Sequence, residues 1–422
     1  MNGRYPMLPV FVAAFVTLPG ISVVLAHAEL SPPMAALLAG SAILGAGFIL
    51  LWACDAAQTD VSQALALAAV ALIAVLPEYV VDMYFTWQAG KDPGSDYSHF
   101  AIANMTGANR LIIGVAWALV VGIFWWKTRR PVTLEKDRSL EIRFLALASA
   151  YAFLIPIKGS LEWYDGIVLL AIYGWYLWIA ASRGCTECEL DGPAACIAAY
   201  PTVKRRATTI GMFLFAGVAI VANAEHFCEG LIGTGEMLGI NQFLLVQWLA
   251  PLASEAPEFV VAIMFALRGR AGLALGSLLS AKLNQWTLLV GMIPGVFAIS
   301  SGQLAFPLPL DHLQLHEILL TAAQSLLAVI MLATLRLTPG QAILLFVLFI
   351  GQLVSPVAVK ALPGGTLFGM HADMMHPLFS LLYLVSAATL IFDRPARLAG
   401  LLPWLRKKPP KENEPAQPNA ME

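Results

Sequence analysis

Charge is scarce along this chain. Only 12% of its 422 residues are Asp, Glu, Lys or Arg, about half the share of a soluble domain. No polar stretch is long enough for a separate soluble domain. His-Glu-x-x-His and Gly-x-Ser-x-Gly are both missing, as is a convincing Ser/His/Asp set, so no enzyme class is indicated. The net charge is −2, and no basic groove interleaved with aromatics occurs, so nucleic-acid binding has no support. Short alternating segments of the β-barrel kind do not appear either. What fills the sequence is apolar: 59% hydrophobic residues and a mean hydropathy of +0.74.

Twelve apolar runs approach the roughly 20 residues that a bilayer-spanning helix needs. They cover about 7–27, 34–54, 61–87, 99–126, 141–158, 160–181, 207–227, 240–267, 271–299, 317–335, 340–359 and 376–392. The expected class is therefore an all-α polytopic membrane protein whose first run is a span and not a cleaved leader. With twelve spans both termini share a side. Twenty of the 25 Lys and Arg residues then fall on that side, and only Lys91, Lys158 and Lys360 on the other. This asymmetry makes the termini cytoplasmic, in an inner or plasma-type membrane.

Two runs contain a carboxylate one residue after a proline, in nearly the same phrase: Leu76-Pro77-Glu78-Tyr79-Val80-Val81 and Ala256-Pro257-Glu258-Phe259-Val260-Val261. A buried acid in lipid is expensive and marks a functional position. The phrases lie an odd number of crossings apart, which makes them an inverted pair. The expected organisation is a flanking helix in 1–33, a first half in 34–181, a linker in 182–206, a second half in 207–360, a flanking helix in 361–392 and a disordered tail in 393–422. Each proline removes a helical donor and crowds a carbonyl, so each helix is expected to kink or open beside its glutamate. Carbonyls plus carboxylates suit Na⁺ or Ca²⁺. Asp82 shares a helix face with Glu78, and Glu255 with Glu258. Lys282 and Arg110 are intramembrane cations on the helices that follow. If all six converge, the net charge is −2.

At these residues the chain resembles the sodium/calcium exchanger superfamily, cation/Ca²⁺ antiporters with two inverted five-helix repeats. The resemblance implies alternating access, no resident cofactor, and inorganic cations (Na⁺, Ca²⁺ or H⁺) as cargo within the lipid bilayer; it leaves the oligomeric state unknown. It also implies roles for particular residues. Glu78 and Glu258 match the central ion-binding glutamates, Ser254 a coordinating hydroxyl, Asn104 and Ser277 the Asn of an Ala-Leu-Gly-Asn stretch, Asn109 the Asn of Gly-Ser-Asn, and Gln285 a later Asn or Asp. Departures concentrate at the same place. Ala74, Val75, Ala108 and Ala281 replace hydroxyl residues, Glu255 replaces a Ser, Ile112 and Lys282 replace Asn, and Arg110 adds a cation. Lys282 is expected to act as a tethered cation in one ion position. The runner-up is a non-transporting sensor or scaffold whose site Lys282 and Arg110 fill.

Two further signals stand apart. Cys185-x-x-Cys188, with Cys196, has the spacing of a metal or redox site, although free thiols are the simpler reading on a cytoplasmic linker. Cys54 and Cys228 read as helix-end residues. Asp311-His312-x3-His316-Glu317 is a candidate metal or pH-sensing face, with interfacial histidines in polar loops as the plain alternative.

Overall fold

The computed structural model describes residues 7–60, 73, 75–182, 190–303 and 307–401. The chain is a bundle of long helices. In order these are α1 (Leu8–Ala26), α2 (Pro32–Ala57), α3 (Leu76–Lys91), α4 (Tyr97–Thr128), α5 (Lys136–Lys158), α6 (Trp163–Ser182), α7 (Thr202–Leu238), α8 (Gln242–Leu267), α9 (Ala271–Ser301), α10 (His312–Leu332), α11 (Pro339–Ala361) and α12 (Ala372–Asp393). Eleven are long and apolar enough to cross a membrane. The exception, α3, has 16 described residues, and most of the earlier part of the expected third run lies outside the described residues.

Local chemistry sets several boundaries. Asp311 caps α10 by accepting from the Gln314 backbone at 2.8 Å, while Gln314 Oε1 accepts from the Asp311 backbone at 2.8 Å. Thr338 and Gln341 make the same reciprocal cap on α11. Gly302 and Gly239 end α9 and α7 in the left-handed region.

Loop contacts define two ends of the bundle. At one, Val132–Thr133 pairs with Arg336–Leu337, and Lys127 Nζ donates to the Leu267 carbonyl at 2.5 Å. This is the basic face. At the opposite face Leu161 bridges to Leu308, and Ser300 Oγ donates to the Trp87 carbonyl at 2.6 Å. On the basic face Asp60, after α2, accepts from Arg205 at 2.7 Å and Arg206 at 3.0 Å. Arg205 first, then Arg206, holds its carboxyl well below the usual carboxylate range.

Helices α9 and α10 are mostly buried, whereas α1, α11 and α12 turn most of their residues outward. The outward faces carry large apolar side chains such as Phe11, Phe15, Trp126, Trp178 and Leu214, a surface suited to lipid. Helix α2 packs on α1, α7 and α8; α3 packs on α4, α7 and α9; α4 packs on α8, α10 and α11; α6 packs on α9; α5 packs on α10.

Two close approaches hold the centre. A Cβ on Gly47 of α2 would stand 3.0 Å from Pro257 Cγ and 3.6 Å from Pro77 Cγ, so both repeated prolines meet one glycine. A Cβ on Gly107 of α4 would overlap the Gln247 carbonyl of α8. Backbone cannot yield there as a side-chain tip would. Gly107→Ala is expected to cost about 1–3 kcal/mol through separation of α4 from α8. It should lower the melting temperature of detergent-purified protein by about 3 °C or more; an unchanged melt would contradict this packing.

Three expectations are corrected. Helix α8 stays continuous through Pro251 and Pro257, so it does not open at the second proline, and of the two expected effects only a kink is compatible with it. Cys228 lies buried inside α7 and not at its end. The region after Arg394 is helical over Ala396–Leu401, where Arg397 donates to the Ile330 carbonyl at 3.3 Å and Gly400 accepts from Arg143 at 3.3 Å. Residues 402–422 and the Cys185/Cys188 pair lie outside the described residues, while Cys196 sits on the short helix Gly192–Ala198.

Candidate functional site

Glu78, in the first turn of α3, and Glu255 and Glu258, one helical turn apart on α8, line one largely enclosed cavity. Its volume is about 10 Å³, enough for one water-sized occupant. Ser254 and Gln285 also line it, with the apolar side chains of Val75, Ile112, Phe259, Leu278 and Ala281. Glu78 and Glu255 are 2% and 3% exposed, and Glu258 is half-buried. Of the three, Glu258 is the most exposed and stands nearest the Leu267 end of α8.

Gln285 spans the cavity. Its amide donates to Glu78 Oε2 at 2.5 Å and to Glu255 Oε1 at 3.0 Å. The other oxygens of both glutamates, Glu258 Oε2 and Gln285 Oε1 are buried without a hydrogen-bond partner. Such oxygens cost free energy unless a proton or cation satisfies them. Ser254 Oγ donates back to the Ala250 carbonyl at 3.2 Å, which leaves its lone pairs to face the cavity.

The α9 segment Gln285–Leu289 and the α4 segment Ile112–Trp117 are both π-helical. A π-turn widens the helix and re-aims side chains, and such turns recur at functional sites. Here they follow Lys282 on α9 and Arg110 on α4. Lys282 is wholly buried; its Nζ donates to Asn109 Oδ1 at 2.7 Å and sits 4.4 Å from the centre of the Trp286 ring.

The six charges do not all converge. Asp82 pairs instead with Asn104, whose Nδ2 donates to it at 3.1 Å. Arg110 forms an ion pair with Glu317 of α10 and lies over the Trp248 ring at 5.2 Å. Ser277 is exposed on α9, and Ser280, one turn on, donates to Glu141 at 2.9 Å. His312 is exposed and His316 half-buried. Among the described residues no three His, Cys, Asp or Glu side chains converge closely enough to hold a metal ion. The His312/His316 metal face is thereby not supported, and the three cavity glutamates are not closed onto one ion in this conformation.

Other polar contacts were not anticipated. Tyr79 donates to Asn284. Glu229 of α7 accepts from Tyr84 at 2.8 Å and Tyr97 at 2.6 Å. Tyr79 was legible only as the near match of Phe259, and Glu317 only as the flank of the histidine pair.

The sodium/calcium exchanger protein profile matches residues 8–181 and 208–357, most of the chain. The chain belongs to the sodium/calcium exchanger family. Among solved structures, this exchanger is similar to the H⁺/Ca²⁺ exchanger CAX, at 39% identity over 95% of this chain and 96% of that one, with a TM-score of 0.86. It also shares a fold with the sodium-calcium exchanger NCX_Mj, at 20% identity over 79% of this chain and 100% of that one, with a TM-score of 0.51. An uncharacterized membrane protein of Methanocaldococcus jannaschii is 24% identical over 66% of this chain and 82% of its own length. These relationships make the protein a polytopic cation antiporter.

Proposed function

We propose that the protein exchanges Ca²⁺ for H⁺ at the cavity formed by Glu78, Glu255 and Glu258. The carrying observation is the charge of that cavity: three carboxylates (−3) beside one tethered lysine (+1) leave −2. One Ca²⁺ neutralises this, and so do two protons on two of the carboxyls. Ca²⁺ entering as two protons leave keeps the buried charge constant, which a low-dielectric site demands. The similarity to the H⁺/Ca²⁺ exchanger CAX supports the same cargo.

Gln285 acts as the exchangeable element. Its NH₂ group holds Glu78 and Glu255 while no cation is present. Rotation of the amide turns its unpartnered oxygen toward the ion, and oxygen ligands suit Ca²⁺. Asn109 fixes Lys282 against one wall.

Residues 34–181 and 207–360 form the inverted halves. Exchanging spans two to six for seven to eleven turns the α3–α9 contact into α8–α4, α6–α9 into α11–α4, and α2–α8 into α7–α3, all of which occur. The two π-helical segments exchange likewise. The basic face is cytoplasmic, and the cavity opens toward it through Glu258. On the other side, the Tyr79–Asn284 and Asp82–Asn104 contacts and the Glu229 link to Tyr84 and Tyr97 keep the path shut. Alternating access breaks these links and closes the Glu258 side. A sensor role with the site filled by both cations loses its footing, since Arg110 pairs with Glu317 away from the cavity wall.

The test is ⁴⁵Ca²⁺ uptake into everted vesicles under an imposed pH gradient, a Na⁺ gradient, or neither. Uptake should follow the pH gradient and ignore Na⁺. Uptake driven equally well by Na⁺ at uniform pH would overturn the proton assignment.

A further inference from the structure

We propose that Glu317 and His376 form a proton-binding site, separate from the cation cavity, that sets the exchange rate through Arg110. This rests on the Ca²⁺/H⁺ reading above. Neither residue belongs to the cavity wall. Glu317, on α10, is wholly buried, and its two oxygens face different partners: Oε2 the Arg110 guanidinium of α4, and Oε1 the His376 Nδ1 of α12 at 3.4 Å. His376 keeps 13% of its side chain exposed and lies in the first turn of α12, at the face opposite the basic one. It is the point where solvent protons reach the cluster.

The other ionisable groups nearby are few. Glu317, Arg110 and His316 act electrostatically on His376, and Tyr383 of α12 faces Arg110. On α5, Glu141 is held by Arg138 and Ser280, Tyr151 and Lys158 by Asp165, and Arg143 by the Gly400 carbonyl. The charged residue of α11 in this region, Lys360, is exposed. The cluster is therefore neutral as Arg110⁺ with Glu317⁻ while His376 is uncharged. A proton taken from water at that face onto the imidazole, with Nδ1–H directed at Glu317 Oε1, raises the cluster to +1. Glu317 then divides its charge between two cations and holds Arg110 less tightly.

Arg110 transmits the change. It directly follows Asn109, which holds Lys282 at 2.7 Å, and it precedes the π-helical segment Ile112–Trp117. Its own carbonyl accepts from Gln324 of α10 at 3.4 Å. A looser Arg110 shifts the part of α4 that positions Asn109, and with it the lysine beside the cavity.

Two measurements decide the matter. In ¹³C-histidine NMR of purified protein, the resonance missing from His376→Gln should shift as the wild type is acidified; a resonance that stays fixed at every pH at which the protein remains folded overturns the site. In vesicles, the Ca²⁺ uptake rate is followed as pH is varied on the His376 side alone. His376→Gln should lose at least half of the wild-type variation across about pH 5 to 8, while His371→Gln, at an exposed residue of the short strand before α12, keeps it. A His376→Gln profile that overlays wild type overturns the coupling to transport. Wild-type vesicles that exchange no Ca²⁺ for H⁺ would overturn the proposed function instead, and the NMR titration would still decide the proton site.

Discussion

Glu255→Gln is expected to reduce pH-driven Ca²⁺ uptake by at least about 100-fold, equivalent to about 2.8 kcal/mol at the rate-limiting state. The substitution preserves shape, so the fold should survive. Its effect is on charge. The cavity falls from −2 to −1, which no longer neutralises a divalent cation, and one of the proton carriers disappears. Gln285 also loses its better acceptor on the α8 side, since a carboxylate accepts more strongly than an amide oxygen. Uptake into proteoliposomes would be measured beside ⁴⁵Ca²⁺ binding in detergent. Both should fall together, because the same oxygens bind and exchange. Uptake within twofold of wild type would remove Glu255 from the site and leave Glu258 to be tested as the α8 carboxylate. An exposed loop carboxylate such as Glu29 serves as control.

Glu255 stands just before the repeated phrase, and its contact with Gln285 shows what the sequence could convey. Eleven of the twelve expected spans were legible because bilayer crossing demands long apolar runs, and length alone separates them. The two Pro-Glu phrases were legible because a carboxylate in such a run is conspicuous. Which side chains meet was not. Ser277 precedes Lys282 by five residues, which turns it about 140° around a 3.6-residue helix, and it ends up facing outward. Asn104 stands in the same relation to Asn109 on α4 and meets Asp82 instead. Motif alignment preserved their order along the chain but not the face. The Arg110–Glu317 pair joins residues 207 apart, on helices whose contact no local pattern encodes. The π-helical segments were equally hidden, since apolar residues such as Ile112–Trp117 satisfy a 3.6-residue helix just as well. Glu255 was visible both as a face-mate of Glu258 and as a departure at a position where the family carries a hydroxyl, and the structure makes it the partner of Gln285.

Lys282→Asn tests the other departure, and its effect should differ in kind from that of Glu255→Gln. Lysine at 0% exposure is maintained only by its surroundings: the Asn109 oxygen, the Trp286 ring and the negative charges of Glu255 and Glu78. Asparagine removes a fixed positive charge and returns an oxygen ligand. The cavity then stands at −3, and one Ca²⁺ leaves a unit of negative charge unbalanced. A monovalent cation can fill the vacated position. Proton-driven Ca²⁺ uptake is expected to fall about tenfold, a change of about 1.4 kcal/mol, and to become sensitive to Na⁺, to which the wild type is expected to be indifferent. The charge moved per Ca²⁺, read as current in a solid-supported membrane, should change with it. Lys282→Met separates the two consequences: it removes the charge without adding an oxygen, so uptake should fall without Na⁺ sensitivity. If Lys282→Asn kept the wild-type ion requirement and the same charge per Ca²⁺, the lysine would be a structural cation held by Asn109, and the −2 charge balance at the centre of the mechanism would have to be drawn from other groups.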